Sequence, residues 1–221
     1  IDTNGNLTSS FITISNIKSK DASVVKTGNE RVVNSRLADA AFFYNKDISQ
    51  SLASRRNKLK EVVFQEKLGS LFDKTERLKT LARYLCEYTG ADIDSAVKAS
   101  ELCKVDLVTD MVNEFPSLQG VMGGYYAKHD GESDSVSNSI AEHYLPSFSG
   151  DRLPKSNIAI TISLADKLDT VFGIFSTGAK PSGSKDPFGL RRCSLAILRI
   201  LIERNIDLDL KEIIGFYQTH V

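Results

Sequence analysis

Apolar residues recur at intervals of three and four along most of this chain, and this spacing limits the fold more than any other feature. Between residues 58 and 88 the recurring positions are Leu68, Leu71, Phe72, Leu78, Leu81 and Leu85. Such spacing is the period of an α-helix with one apolar face. The segment from Ser156 to Gly178 carries a similar stripe and is too long for a single strand. We therefore predict a mainly α chain.

Apolar spacing and a capping residue predict two further helices. One is predicted from Ala22 to about Ile48, where apolar residues again follow a helical spacing. Another begins at Asp92 or Asp94, because aspartate is a good N-cap, and runs to about Phe115.

A different pattern at the start of the chain predicts one short strand. Residues 9–15 read SSFITIS, a run rich in β-branched residues. The strand that pairs with it would precede residue 1, so we expect the chain to be part of a longer protein. The predicted division is the end of a β-rich domain at residues 1–22, a helical connector at 23–57 and an all-α domain at 58–221.

Composition excludes several classes of protein. The 28 basic and 28 acidic residues balance, so any contact with nucleic acid must come from a local basic patch. No apolar run reaches the roughly 18 residues that a membrane span needs, and we expect no membrane partner. Three widely spaced cysteines indicate buried, reduced thiols in a cytoplasmic protein.

Four cations lie close together in residues 178–192, which read GAKPSGSKDPFGLRR. They are Lys180, Lys185, Arg191 and Arg192. The segment lacks the residue order of a P-loop. Asp186 and Pro187 are typical of a helix start, and the first N–H groups of a helix favour an anion. We predict that the four cations contact phosphates. The alternative is a solvated basic turn in which an arginine pairs with Asp166 or Asp169.

Two pairs of carboxylates lie next to apolar residues. Asp106 and Asp110 are four apart, which predicts a shared helix face, and Asp166 is three residues from Asp169. A buried carboxylate must be paired, protonated or bound to a metal. Lys104 and Lys167 are candidate partners. None of the three histidines has a second histidine or a cysteine at metal-ligand spacing, so we predict no structural zinc site.

The segment LADKLDTVFGIF resembles the last aspartate-bearing helix of the HD-domain phosphohydrolases. That superfamily holds one metal ion with a His, a His-Asp pair and a final Asp. The resemblance matches Asp166 to the final Asp and Asp106 to the Asp of the pair. Val105 stands at the second His and Gln65, in VVFQEKLG, at the first. Both histidines are thus missing. The resemblance implies a degenerate HD-like domain without a metal.

A wider resemblance covers nearly the entire chain. It is carried by blocks that include GNERVVNSRLADAAFFYNKD, KVDLVTDMVNEFPSLQGVMGGYYA, EHYLP and ADKLDTVFGIFSTGAKPSGSKDPFGLRR. In their order these blocks resemble the β subunit of the bacterial heterotetrameric glycyl-tRNA synthetases. The family's β subunit is several times longer, so the chain resembles an interior piece that contains the HD-like domain.

The resemblance implies that the chain helps a glycine–tRNA ligase to bind tRNA(Gly). In that family ATP and Mg²⁺ are used on the α subunit, and two α chains assemble with two β chains. It follows from the resemblance that this segment carries no catalytic residue and no cofactor, and is inactive alone. Two other functions stay open: an active HD-type phosphohydrolase, and a purely architectural helical module.

Overall fold

Helices make up most of the chain, and the prediction of a mainly α fold is confirmed. The computed structural model describes residues 3, 5, 6 and 8–221. The α-helices in these residues, numbered in chain order, are α1 Ala22–Asp47, α2 Leu52–Arg55, α3 Leu71–Thr89, α4 Ile93–Leu102, α5 Asp110–Glu114, α6 Val121–His129, α7 Asp134–Glu142, α8 Asn157–Ser176, α9 Leu190–Glu203 and α10 Leu210–His220. In this described part of the chain, no helix is both long and apolar enough to cross a membrane.

The other regular elements are short. Strands β1 (Val63–Gln65) and β2 (Gly69–Ser70) form an antiparallel hairpin. Single 3₁₀ turns lie at Arg56–Glu61, Val105–Val108 and Pro116–Leu118. The hairpin leads directly into α3, whose first turn is closed by a capping box between Ser70 and Asp73.

The chain divides into two units, residues 1–45 and 46–221. Helix α1, which begins in the first unit and ends at Asp47, occupies the range that the sequence predicts for the first helix. The strand predicted at residues 9–15 is absent, since this segment has no regular structure. Ile12 and Ile14 are 94% and 95% exposed. A β-branched run without a neighbouring strand has no partner for its backbone groups, so β propensity alone does not form a strand. The predicted domain boundaries after residues 22 and 57 stay predictions.

Helix α8 lies at the centre of the second unit, where it packs against α3, α4, α7 and α9. Its side chains Ile162, Leu164 and Leu168 are fully buried. Burying each such side chain stabilises the fold by about 1.5–3 kcal/mol. The hydroxyl of Ser156 accepts the N–H of Ala159 and caps this helix, as the sequence predicts.

The helix predicted from Asp92 or Asp94 to Phe115 is interrupted. Asp92 caps α4, but the chain then passes through the 3₁₀ turn at Val105–Val108 before α5 begins. Thr109 has an extended backbone, with ψ of 152°, so no helix continues through it. Asp106 and Asp110 therefore do not share a helix face. Asp110 instead forms an ion pair with Lys46 over 3.0 Å.

Candidate nucleic-acid interface

The basic segment forms an exposed turn between α8 and α9. Ser182 and Lys185 exchange two backbone hydrogen bonds of 3.0 and 2.9 Å, and Gly183 lies between them with φ of +50°. Glycine tolerates this left-handed backbone at no steric cost. The side chains of Lys180 and Lys185 are exposed, one before the turn and one at its end.

Helix α9 begins at Leu190 and not at Asp186 or Pro187 as predicted. Gly189 precedes it in a left-handed conformation, with φ of 64°. The helix therefore does not extend back to Pro187. Asp186 still caps the helix from outside, because its carboxylate accepts the N–H groups of Leu190 (2.8 Å) and Arg191 (3.0 Å). These two N–H groups are therefore already bound by a carboxylate of the chain itself.

Burial raises the pKa of the Asp186 carboxyl, but its two backbone hydrogen bonds outweigh that effect. The nearby charges of Arg191 and Arg192 act in the same direction as the hydrogen bonds, and the pKa lies below its usual value. Asp186 is consequently ionised at neutral pH. A charged carboxylate at the N-terminus of α9 stabilises the helix dipole.

Arg191 braces the turn, since its Nη1 donates to the backbone oxygen of Gly183 over 2.7 Å. Arg192 is exposed and lies one residue further along α9. Within the part of the chain that the structure describes, Lys180, Lys185, Arg191 and Arg192 form no ion pair with a carboxylate. Neither Arg191 nor Arg192 pairs with Asp166 or Asp169, so that part of the alternative is wrong, whereas a solvated basic turn stays open.

A cluster of buried charges surrounds Asp166 and Asp169 on α8. Lys104 Nζ lies 2.8 Å from Asp166 Oδ2, and Lys74 Nζ lies 3.0 Å from Asp166 Oδ1. Lys74 also reaches Asp169 Oδ2 at 2.9 Å, and Arg77 Nε reaches Asp169 Oδ1 at 2.6 Å. Burial opposes ionisation of both carboxyls, but the adjacent cations outweigh it and lower both pKa values. Lys104 thus pairs with a buried aspartate, as the sequence analysis allowed.

Lys167, the other proposed partner, forms no ion pair with these acids. Its Nζ donates to the backbone oxygen of Leu145 at 2.9 Å and to Ser163 Oγ at 2.8 Å. Burial lowers the pKa of this lysine to about 8. Lys167 therefore ties α8 to the loop after α7.

His143 completes the buried cluster, and no spacing in the sequence marks it. Its Nε2 lies 2.9 Å from Lys104 Nζ, and its Nδ1 lies 2.7 Å from the backbone oxygen of Ile140. An ammonium only donates, so Nε2 accepts and Nδ1 carries the proton. Burial and the charge of Lys104 hold the pKa of His143 well below 6.5, and the ring is neutral.

Asp106 caps α6. Its Oδ2 accepts the backbone N–H of Gly123 at 3.1 Å and that of Gly120 at a short distance. Its Oδ1 has no hydrogen-bond partner among the described residues. Burial outweighs the two hydrogen bonds and raises the pKa of Asp106 to about 6. The carboxylate therefore caps the N-terminus of α6, and the two backbone N–H groups hold it in position.

Gln65 and Val105 occupy the positions matched to the two missing histidines. Gln65 Oε1 accepts the N–H groups of Lys67 (2.7 Å) and Leu68 (3.1 Å), which shapes the β1–β2 hairpin. Val105 is buried and apolar. Across residues 3, 5, 6 and 8–221, no group of three or more His, Cys, Asp or Glu side chains could hold one metal ion. The residues present do not fit the metal site of the HD-domain phosphohydrolases.

The comparisons with known proteins agree on one family. The family model described as "Glycyl-tRNA synthetase beta subunit" matches residues 1–221. The glycine–tRNA ligase beta subunit of Chromohalobacter salexigens is 50% identical over 214 residues, which are 97% of this chain and 31% of that protein. Its counterpart from Pseudoalteromonas atlantica is 49% identical over 228 residues, covering 100% of this chain and 33% of the relative.

The beta subunit of Coxiella burnetii is 51% identical over 207 residues, which cover 94% of this chain and 30% of the relative. The chain thus spans about a third of the length of the curated relatives that it matches. The chain belongs to the glycyl-tRNA synthetase beta subunit family.

Proposed function

We propose that this chain forms part of the tRNA(Gly)-binding surface of a glycine–tRNA ligase, with Lys180, Lys185, Arg191 and Arg192 contacting phosphates. The observation that carries the proposal is the exposed turn on which these four cations stand without a carboxylate partner in the described structure. Cations that form no ion pair with an internal carboxylate are available to a polyanion. Such contacts position RNA and do not select its sequence.

Hydrogen bonds fix the backbone of the turn that carries these cations. The Ser182–Lys185 backbone pair closes it, Arg191 bonds back to Gly183, and Asp186 fixes the start of α9. A rigid turn loses less conformational entropy when it binds than a flexible one does. We expect phosphate contacts here to be sequence-independent because they are made by lysine and arginine side chains.

The rest of the enzyme's work belongs to other parts of the proposed assembly. Relatives of this chain are named beta subunits of glycine–tRNA ligase, which supports an α-subunit partner. We propose that ATP and Mg²⁺ act on that α subunit, that two α and two β chains assemble, and that the 221-residue chain alone is inactive. A cytoplasmic location is supported by Cys86, Cys103 and Cys193, which are free thiols.

A phosphohydrolase function is less well supported. Asp166 is held by two lysines, Asp106 caps α6, and Gln65 shapes a hairpin. None of these groups is directed to a common metal ion. The architectural module stays the alternative that an RNA-binding experiment must separate from the proposal.

The test is a titration of fluorescently labelled tRNA(Gly) with the chain at several salt concentrations. The variant Arg191→Gln/Arg192→Gln should weaken binding and reduce the slope of log K against log salt by roughly 0.7 to 0.9 for each lost contact. The matched control is Arg83→Gln, which removes an exposed arginine on α3. Circular dichroism establishes that each variant is folded.

Three results would contradict the proposal. The first is wild-type chain that does not bind tRNA, which would support the architectural module. The second is a double variant that binds as tightly as the wild type. The third is an equal loss in the Arg83→Gln control, which would show that net charge and not this turn determines the affinity.

A further inference from the structure

Two neighbouring cavities share a wall beside the basic turn. One, of about 250 Å³, is lined by polar groups that include Gln119, Tyr144 and Ser147. The other, of about 220 Å³, is lined by Phe148, Leu195 and Ala196 among others. Pro146 and Arg192 line both cavities. A polar and an apolar compartment therefore meet at one guanidinium group.

Two large hydrophobic side chains that line the apolar cavity are exposed. Phe148 and Leu195 are each 63% exposed. Phe148 lies in the loop between α7 and α8, and Leu195 lies on α9. An exposed aromatic ring beside aliphatic side chains offers a flat apolar platform. Nucleobases stack on such rings without regard to sequence, because every base has a π-face.

The charge around the two cavities suits an anionic ligand. Arg192 forms no ion pair within the described part of the chain, although it lies close enough to Asp186 to help lower that carboxyl's pKa. Arg199 lines the apolar cavity further along α9. Asp166 is the acidic residue that lines the polar cavity, and Lys74 and Lys104 already neutralise it.

The polar cavity supplies groups that could bond the sugar or the edge of a base. Ser147 Oγ lies 3.2 Å from the backbone oxygen of Tyr144, which leaves its two lone pairs as acceptors. The carboxamide of Gln119 has both donors and an acceptor. An apolar platform, a cation and a set of polar groups that adjoin one another match the base, the phosphate and the ribose of one nucleotide.

We infer that this nucleotide surface, formed by Pro146, Phe148, Arg192 and Leu195, binds one unpaired nucleotide of an RNA. The base stacks on Phe148 and its phosphate contacts Arg192. The inference rests on the proposed function, because it specifies which part of a tRNA binds to the surface beside the basic turn. A nucleotide paired inside a stem cannot occupy it, since neighbouring pairs cover both faces of its base.

A partner protein is the other occupant that this surface could take. Leu198 and Ile202 continue the apolar face along α9, at 44% and 72% exposure, and a partner helix could cover such a stripe. Leu198 and Ile202 line neither of the two cavities, whereas Arg192 lines both and Phe148 lines the apolar one. The combination of aromatic ring, free guanidinium and polar cavity favours a nucleotide.

The test compares two fluorescent RNA hairpins with the same stem, one blunt and one with four unpaired 3′ nucleotides. Wild-type chain should bind the overhang form about tenfold more tightly, which corresponds to one stacked base. Phe148→Ala should remove that difference, and Phe148→Trp should retain it. Arg192→Gln should weaken binding of the overhang form more than of the blunt form.

Phe42→Ala is the matched control, because Phe42 is also 63% exposed but lies on α1. It should leave the difference between the hairpins unchanged. Equal binding of both hairpins by wild type, or an overhang preference that survives Phe148→Ala, would overturn the inference while the proposed tRNA binding stands. Failure of wild type to bind either hairpin would reject both. If Phe148→Ala and Ile202→Ala weakened capture of the α subunit but left RNA binding intact, the surface would be a protein interface and the inference would be wrong.

Discussion

The Lys104 ammonium lies 2.8 Å from the Asp166 carboxylate in the interior of the helical unit. Lys74 contacts the other oxygen of the same carboxylate at 3.0 Å. Asp166 stands where the resemblance to HD-domain phosphohydrolases expects a metal ligand. Two internal ammonium groups thus supply the positive charge that this carboxylate needs, and they link α3 and the end of α4 to α8.

We predict that Lys104→Met destabilises the fold by about 3 kcal/mol, because it removes one partner of a buried ion pair and leaves the other charge poorly compensated. Urea unfolding followed by circular dichroism measures this loss. Lys211→Met, at an exposed position on α10, is the control and should change the free energy of unfolding by less than about 0.5 kcal/mol. A Lys104→Met protein as stable as wild type would show that the pair contributes nothing.

We predict that Mn²⁺ or Zn²⁺ at stoichiometric concentration leaves the melting temperature unchanged. A metal ion that bound the native chain would stabilise it by mass action. The carboxylates of Asp106 and Asp166 are already engaged by backbone N–H groups and by lysines, so no such site is formed. Differential scanning fluorimetry with and without metal measures the shift. Stoichiometric metal retained after dialysis, found by elemental analysis, would contradict this.

His143 and Asp106 affect the pH dependence of stability in opposite directions. The pKa of His143 is lower in the folded state than its unfolded value of about 6.5, so its contribution is present above 6.5 and is lost as the pH falls. The pKa of Asp106 is raised to about 6, so its contribution is present below about 4 and is lost as the pH rises through 6. Between pH 4 and 6.5 the two partly cancel.

We therefore predict that Asp106→Asn makes the fold lose stability more steeply as the pH falls from 6.5 to 4. The asparagine oxygen still accepts the N–H groups of Gly120 and Gly123, but it takes up no proton to offset His143. The urea midpoint measured at several pH values reports the slope. For Asp106 the change amounts to about 3 kcal/mol across this range.

The complementary variant tests the same assignment. His143→Gln removes the acid-sensitive ring and should leave a fold that becomes more stable as the pH falls from 7 to 5. An identical pH profile for wild type and both variants would show that neither group titrates differently in the folded and unfolded states.

The helices that the sequence predicts well have their ends set by local residues. Ser156 caps α8 with its own hydroxyl, and Asp92 does the same for α4 with its carboxylate. The failures occur where the outcome depends on a distant partner. The run at residues 9–15 forms no strand because none of the residues that the structure describes pairs with it. The helix predicted through Phe115 is interrupted at Thr109, and the backbone N–H groups of the next two residues donate to the distant Asp47 carboxylate.

In the candidate site, too, features set by neighbouring residues could be predicted and those that depend on distant residues could not. The four cations are close together in the sequence, so their clustering could be predicted. Lys74 and Asp169 are 95 residues apart, and neither apolar period nor motif spacing joins them. The sequence did predict that a lysine would pair with a buried aspartate, because an unpaired buried charge is costly. It could not tell that Lys104 forms the pair and that Lys167 bonds to backbone oxygens instead.

We predict that Gly124→Ala destabilises the fold by about 1–3 kcal/mol, although alanine favours helices. A Cβ at this position would lie 2.8 Å from the backbone oxygen of Ser137 and 3.0 Å from the Ala141 Cβ, where α6 packs on α7. Gly215→Ala on α10 is the matched control. An added methyl group there would meet no atom within 4 Å, so this substitution should stabilise by about 0.5–1 kcal/mol. Urea unfolding of both variants measures the difference, and equal effects would contradict the close packing of α6 on α7.

Asp186 provides the sharpest test of the basic turn, because it is the one acid in residues 178–192. Its carboxylate caps α9 and places a negative charge beside Arg191 and Arg192. Asparagine at this position retains a side-chain oxygen that accepts the same N–H groups, since Asn and Asp are comparable N-caps. Asp186→Asn therefore removes the charge and keeps the cap.

If the turn contacts tRNA phosphates, this variant should bind tRNA about two- to fivefold more tightly at low salt, because the lost carboxylate no longer repels a phosphate a few ångströms away. The gain should shrink as salt rises and screens the charge. The control is Asp209→Asn, which makes the same exchange at the N-cap of α10. Equal affinity of Asp186→Asn and wild type, with α9 intact by circular dichroism, would mean that phosphates do not approach this turn. An equal gain in Asp209→Asn would mean that the effect reflects only the net charge of the chain.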